Sequence, residues 1–320
     1  MKSDFVANSI PKSIAITGAT GLLGAHLSNA LLSRGHDVYA LIKDENHKSI
    51  LSNKVTRIYG DISNKSDIEY FIQKSNPSYF IHLAAQTQAY DALRYPYQTF
   101  FNNIVGTLNV LECLREYSLC EAIVVASSDK AYGELIGDFY TEDHQLRGVY
   151  PYDASKSSAD LISHSYRMSY NMPIVTTRAC NMYGIGDYNS QRLIPGVVTA
   201  YLRKQKFIIR NQGEDWREYI HVSDVVSAYN NILEYATNRG PISTFNISSS
   251  DRYKTLDVFN LIQGAIGKSI DHEIISYESQ EIRRQFMDSS LLTKETQWHP
   301  QKTLEGTISE TVRWYVDNLQ

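Results

Sequence analysis

The sequence predicts an α/β fold, a doubly wound parallel sheet followed by a smaller, interleaved C-terminal lobe. Three observations carry this expectation. Short β-rich runs alternate with helical stretches through the first half, the pattern of parallel β-α-β units. The first of those runs stops at a glycine turn that opens a helix. After Cys180 the rhythm loosens into polar segments with separated helices.

The elements follow in order. Ser13-Ile-Ala-Ile-Thr-Gly18 is an apolar run ending at glycine. From Gly21 to Arg34, Leu22, Leu23, His26, Leu27, Ala30 and Leu31 fall at helical spacing. Gly35, tolerant of positive φ, ends that helix. Further strands are expected at 38–42, 55–59, 79–83, 122–126 and 174–178, with helices at 66–74, 100–117 and 154–170. Beyond Cys180, segments 181–191, 211–219 and 249–287 read as loops and polar stretches, and helices return at 193–203, 223–237 and 256–266. The expected division is a dinucleotide-binding domain over 13–180, with return segments near 205–245, and a second lobe made mainly of 181–320. There is no internal repeat and no low-complexity tract.

Composition narrows the class. The chain has 320 residues, with 31 Lys plus Arg against 35 Asp plus Glu, a net charge of −4. Mild acidity argues against a nucleic-acid partner, which would want a basic patch. An apolar fraction of 42% and a charged fraction of 21% are those of an ordinary globular chain. Cys113, Cys120 and Cys180 have no C-x-x-C spacing, and the histidines form no metal pattern, so no metal is expected. Residues 1–12 carry no apolar signal core, and no apolar run approaches the ~20 residues that span a bilayer. The expectation is a reduced, cytoplasmic protein without a membrane partner.

Thr17-Gly18-Ala19-Thr20-Gly21-Leu22-Leu23-Gly24 joins the first strand to the first helix. Gly18 allows the tight turn, Gly21 lets backbone amides approach a pyrophosphate, and Gly24 lets the helix pack on the sheet. The helix N-terminus then offers free N–H groups and a positive dipole end to an anion. This is a Rossmann-type nucleotide turn in the context that such a motif requires. At the end of strand two, Ile42 cannot hold ribose hydroxyls. Lys43 would favour a 2′-phosphate and Asp44 a free ribose, so NAD is expected with NADP still open.

Tyr152-Asp-Ala-Ser-Lys156 puts a phenol and an ammonium four apart on one helix face. A neighbouring lysine stabilises phenolate, so Tyr152 is expected to have a lowered pKa and to act as acid and base. Ser128, 24 residues earlier, is placed to hydrogen-bond the same substrate oxygen.

These motifs resemble the extended short-chain dehydrogenase/reductase family. The glycine spacing is G-x-x-G-x-x-G, Gly60-Asp61-Ile62 ends the third strand, and His82-Leu83-Ala84-Ala85-Gln86 is similar to its strand-four signature. Tyr95-Pro96 and Asn103-Ile-Val-Gly-Thr107 resemble its following helix start, and the likeness runs from Ser13 to Trp298 and Trp314-Tyr315. The resemblance implies cofactor contacts from Gly18, Thr20, Gly21, Leu22, Leu23, Gly24, Lys43, Asp61, Ile62, Leu83, Ala84, Ala85, Gln86, Asn103, Tyr152 and Lys156. It also implies a homodimer through helices near 100–117 and 154–170.

Ser127-Ser128-Asp129-Lys130-Ala131-Tyr132-Gly133 separates chemistries within that family. Nucleotide-sugar 4,6-dehydratases carry an acid/base pair after the serine, most often Asp-Glu; Asp129-Lys130 resembles the version in CDP-glucose 4,6-dehydratases. The resemblance implies transient oxidation at sugar C4, loss of water across C5 and C6, and return of hydride to C6. Asp129 is the expected acid, which requires a raised pKa. Lys130 is the expected C5 base, which requires a neutral amine, with the division between the two open. The nucleotide-sugar substrate is expected to meet Thr87, Ser128, Asn181, Arg192, Arg217 and Arg284, with weaker support for Tyr132. The arginines suit a diphosphate through their forked donors. A 4-epimerase or 4-reductase with an inert Asp129-Lys130, or a non-catalytic scaffold, is the competing reading.

Overall fold

A computed structural model describes residues 11–238, 242–276 and 282–319. Seven strands form the central sheet: β1 Ser13–Thr17, β2 Asp37–Ile42, β3 Thr56–Tyr59, β4 Tyr79–His82, β5 Ala122–Ala126, β6 Ile174–Ala179 and a late arrival, β10 Thr244–Ile247. Their order is β3-β2-β1-β4-β5-β6-β10, and every pair is parallel. Sequence order reverses between β1 and β4. In a doubly wound sheet, the crevice for a ligand opens at that point, beyond the carboxyl ends of the strands.

Helices cover both faces. α1 Leu22–Ser33 and α8 Val222–Thr237 pack together on one side. On the other lie α2 Lys65–Ser75, α5 Gly106–Tyr117 and α6 Pro151–Tyr170. Both faces are dry. Ile14, Ile16, Leu27 and Ile81 fill one core, and Phe71, Phe80, Val110 and Leu111 the other, with Phe71 edge-on to Phe80 at 6.0 Å. Full burial of each such side chain contributes roughly 1.5–3 kcal/mol before entropy is counted. His82 belongs to this framework. Its ring bridges Thr17 Oγ1 at 2.7 Å and Thr107 Oγ1 at 3.1 Å, tying β1 and β4 to α5, and burial lowers its pKa to about 3.

The helix expected over 100–117 begins earlier and is not uniform. α3 Ala89–Arg94 and α4 Pro96–Phe100 lead into a π-helical turn, Phe101–Val105, before α5. The helix expected from 154 begins at Pro151, a residue whose fixed φ suits a first helical position, so Tyr152 stands in the first turn.

The second lobe corrects the reading of 181–191, 211–219 and 249–287 as loops. Four short strands form there: β7 Asn181–Tyr183, β9 Trp216–His221, β11 Arg252–Lys254 and β12 His272–Ile274. β9 lies between β7, parallel, and β11, antiparallel; β12 pairs with β8 Phe207–Ile209. Strands of three to six residues carry too little local pattern to be seen in sequence; their partners, far along the chain, create them. α7 Leu193–Leu202, α9 Thr255–Ile266 and α11 Leu304–Asn318 enclose a separate core around Val197, Phe259, Ile262 and Ile308. α10 Ser290–Thr296 returns to pack on β10 and α8.

One buried ion pair ties α6 to the sheet. Arg178 on β6 donates to both oxygens of Asp160 on α6, at 2.8 and 3.0 Å, and also to the Tyr132 hydroxyl at 2.8 Å. Both charges are nearly inaccessible, at 7% and 3% side-chain exposure. Arg178→Met strands the Asp160 carboxylate and is expected to cost about 3–5 kcal/mol of unfolding free energy. Equilibrium denaturation measures it, and a loss below about 1 kcal/mol would contradict the pair's role.

Candidate active site

The carboxyl edge of the sheet and the second lobe enclose a cleft of about 980 Å³. The glycine turn forms its floor. Gly18 has φ +72°, and a Cβ there would stand 2.6 Å from the Ala84 amide nitrogen. At Gly24 a Cβ would meet the Gly18 carbonyl oxygen at 2.1 Å. Only glycine lets α1 and the β4 end approach the turn this closely, so the cradle leaves the amides at the α1 N-terminus facing the cleft. Thr20, Gly21, Leu22, Leu23, Ile62, Leu83, Ala84, Ala85, Gln86 and Thr87 line the same space. These residues fit a dinucleotide pyrophosphate.

Lys43 does not stand as a free cation. Its Nζ pairs with Asp61 Oδ2 at 2.8 Å, and hydrogen bonds from Lys43 and Ser63 hold the Asp61 carboxyl below its usual range against the opposing effect of burial. Its charge is therefore already matched. Asp44, beside it, lines the cleft.

Asn103 does not line the cleft. It sits in the π-helical turn, buried, and acts through backbone. Its side chain accepts from the Gln86 amide at 2.7 Å and donates to the Gln86 carbonyl at 2.9 Å and to Ser155 Oγ at 2.8 Å. That clamps the loop after β4 against α6.

Ser128, Asp129 and Lys130 open a 3-10 turn, Asp129–Tyr132, at the end of β5. Ser128 caps it by accepting from the Lys130 amide at 3.3 Å and donates to Asp129 Oδ1 at 2.8 Å. Asp129 is buried, and its Oδ2 has no hydrogen-bond partner among the described residues. Burial raises its pKa, against the opposing charges of Lys130 and Arg217 and the Ser128 hydrogen bond. The expected protonated acid has its physical cause: a carboxyl too poorly solvated to ionise readily.

Tyr152 and Lys156 both line the cleft. The expectation of a lowered Tyr152 pKa is corrected. Burial raises it, with only partial relief from the Ser128 hydroxyl. Lys156 Nζ donates to the Ala126 carbonyl at 2.7 Å, and burial lowers its pKa to about 8, opposed by the Asp160 charge. Desolvation is the leading influence on both groups and moves each toward its neutral form.

The second lobe supplies Asn181, Arg192 and Arg217 to the cleft. Arg192 pairs with buried Asp187 at 3.0 Å. Arg284 does not line the cleft; its guanidinium lies over the Phe286 ring, 5.5 Å from the centroid. Tyr132 does not line it either: its hydroxyl is buried between Asn246, at 2.7 Å, and Arg178. Two residues escaped sequence reasoning. Arg210, after β8, lines the cleft from a segment without a motif. Gln285 accepts from Lys130 Nζ at 3.2 Å, next to the arginine that the pattern singled out.

Glu218 holds this lobe to the site. Fully buried, it accepts from Ser248 Oγ at 2.7 Å, the Met287 amide at 2.8 Å and Arg252 Nε at 3.3 Å. It thereby fastens segment 282–288 to β9, next to Arg217. Burial raises its pKa to about 7.

The family model described as NAD dependent epimerase/dehydratase matches residues 14–248. A dTDP-glucose 4,6-dehydratase of Salmonella typhimurium is 27% identical over 341 residues, covering 96% of this chain and 93% of that protein. An Arabidopsis thaliana trifunctional UDP-glucose 4,6-dehydratase/3,5-epimerase/reductase is 28% identical over 323 residues, covering 96% of this chain; the chain spans 48% of its length. Among solved structures, the Bacillus anthracis dTDP-glucose 4,6-dehydratase in complex with NAD superposes with a TM-score of 0.84 at 26% identity, covering 95% of this chain and 96% of that one. The Thermotoga maritima UDP-glucose 4-epimerase with UDP-glucose gives 0.88 at 24% identity, covering 96% and 99%, a likeness of fold alone.

Glu218 predicts a pH dependence. Its folded pKa of about 7 lies above the ordinary 4.5, so the folded state holds a proton that the unfolded chain releases. The stability it contributes is full below pH 4.5 and is lost as pH rises through 7. Relative to Glu218→Gln, the wild-type unfolding free energy should fall by about 2–3 kcal/mol between pH 5 and 8. Parallel curves for the two proteins in urea titrations would refute the assignment.

Proposed function

The chain belongs to the NAD dependent epimerase/dehydratase family, and from that premise we propose that it is a nucleotide-sugar 4,6-dehydratase, a hydro-lyase. It converts an NDP-hexose, CDP-glucose-like, to an NDP-4-keto-6-deoxyhexose. One observation carries the reading: a buried carboxyl with a raised pKa and one unpartnered oxygen, Asp129, stands beside Lys130 at the cleft that also holds Tyr152 and Lys156. An epimerase needs no second acid/base pair.

The glycine cradle and the loop after β4 would hold NAD, which when bound would accept hydride from sugar C4 and, after water has left, return it to C6 while the proton held by Lys130 goes back to C5. The family match supports NAD, and Asp44, which lines the cleft beside Lys43, suits a free ribose. Tyr152 takes the C4 hydroxyl proton, with Ser128 holding the same oxygen. The C4 ketone then acidifies the C5 hydrogen. Lys130 Nζ takes that proton, and the C5–H electron pair becomes the C5–C6 double bond. The C6–O bond breaks with its electrons on oxygen, which takes the Asp129 proton and leaves as water. Asp129 Oδ2, the oxygen without a partner, is the one free to deliver it. Arg217 and Arg192 bind the diphosphate.

A homodimer fits the apolar side chains left exposed on the helices from 96 to 117 and on α6. Tyr97 is 78% exposed, Leu161 59% and Met168 68%. Exposed apolar side chains on these neighbouring helices support an interaction surface there. No helix among the described residues is long and apolar enough to cross a membrane.

Incubation with CDP-, dTDP- and UDP-glucose, without added oxidant, tests the reaction by mass spectrometry. The expected product is lighter by about 18 mass units, one water. An isomer of equal mass identifies an epimerase instead. Asp129→Asn should lower turnover by roughly 100- to 10,000-fold, the usual worth of a positioned acid, while leaving nucleotide-sugar affinity within about threefold in a binding titration. Leu161→Glu should turn a dimer into a monomer in sedimentation; an unchanged sedimentation coefficient would dismiss this interface.

A further inference from the structure

Gln285 is fully buried. Its Oε1 accepts from Lys130 Nζ at 3.2 Å, and its Nε2 has no hydrogen-bond partner among the described residues. With a Lys130 N–H donating to this oxygen, the two amide hydrogens are turned elsewhere. A buried donor left unmade costs stability, and an apolar side chain of similar length would avoid that cost. The chain nonetheless carries an amide at this buried position. Such a conflict between local stability and residue choice is expected where function imposes the residue.

The surrounding fold holds this residue firmly. Phe286 accepts from the Tyr140 amide at 2.8 Å, Asp288 donates to the Tyr140 carbonyl at 2.9 Å, and Met287 is tied to Glu218. On the other side, Arg283 accepts from the Trp216 amide at 2.9 Å. The segment is therefore stitched to β9 and to the chain after the catalytic turn at once. Lys130 by contrast ends a flexible four-carbon stem with rotatable donors, and needs an acceptor to fix its direction. A carboxylate acceptor would hold the proton on the amine; a neutral amide fixes the amine without doing so.

We propose that Gln285 is a positioning residue for the C5 proton transfer: its carbonyl takes one N–H of the neutral Lys130 amine and so aims the amine lone pair at the sugar. This rests on the dehydratase reading of Lys130. Gln285 itself exchanges no proton with substrate.

The test is Gln285→Met, alone and in a Lys130→Met background. The single variant should unfold at a Tm equal to or above that of the wild type, because the unpartnered donors are gone. Its kcat for the 4-keto-6-deoxy product should fall roughly 10- to 100-fold, the cost of a misaimed group, with KM within about threefold. In the Lys130→Met background the same change should cost less than about twofold, since residues acting as a unit are not additive. A lowered Tm with kcat per folded molecule unchanged overturns the proposal, as does an equal kcat loss in both backgrounds. Failure of the underlying reading shows separately: wild-type protein then yields no 4-keto-6-deoxy product, or Lys130→Met keeps full turnover.

Discussion

The guanidinium of Arg178 is the joint on which the site's geometry rests. It reaches Asp160, eight residues beyond Tyr152 and four beyond Lys156 on α6, and Tyr132 at the far end of the turn that starts with Asp129. Residues at these spacings share one helix face. A single buried charge therefore sets the register of the Tyr152–Lys156 face against the Asp129–Lys130 turn. Arg178 also stacks on the Tyr132 ring at 4.7 Å, which limits rotation about the joint. Asp160, paired to it, is in turn the charge that partly restores the buried Lys156 ammonium. Geometry and proton affinity are thus linked through the same pair.

Desolvation is the common cause behind the unusual groups. Asp129, Tyr152, Lys156 and Glu218 all lie where the sheet's carboxyl edge meets the second lobe, and burial is the leading influence on each. It pushes acids up and the lysine down, so every group moves toward its neutral form. A site built this way holds a carboxyl, Asp129, able to give a proton and a lysine, Lys156, whose ammonium is weakened by burial. The enclosing lobe is fastened by Glu218, and Gln285 arrives on the segment that Glu218 holds.

Much of this was legible residue by residue. The glycine turn could be read because three glycines, a preceding apolar run and a following helical pattern are all local. The Tyr152–Lys156 spacing and the Ser128-Asp129-Lys130 run are local too. What failed to show has a shared reason. β7, β9, β11 and β12 are three to six residues long and exist through partners far along the chain. Arg284 and Gln285 are adjacent, and only the path of segment 282–288 decides that the glutamine, not the arginine, meets Lys130.

The sequence by itself determined the alternation of strands and helices in the first lobe, the glycine turn, and the Ser128-Asp129-Lys130 and Tyr152–Lys156 spacings. Each of these is written in spacing along a strand or helix. Tertiary structure alone decided which charges stay free, as Lys43 meets Asp61 and Arg192 meets Asp187. It alone decided the direction of the Tyr152 shift, because burial is a property of the closed cleft and not of a motif.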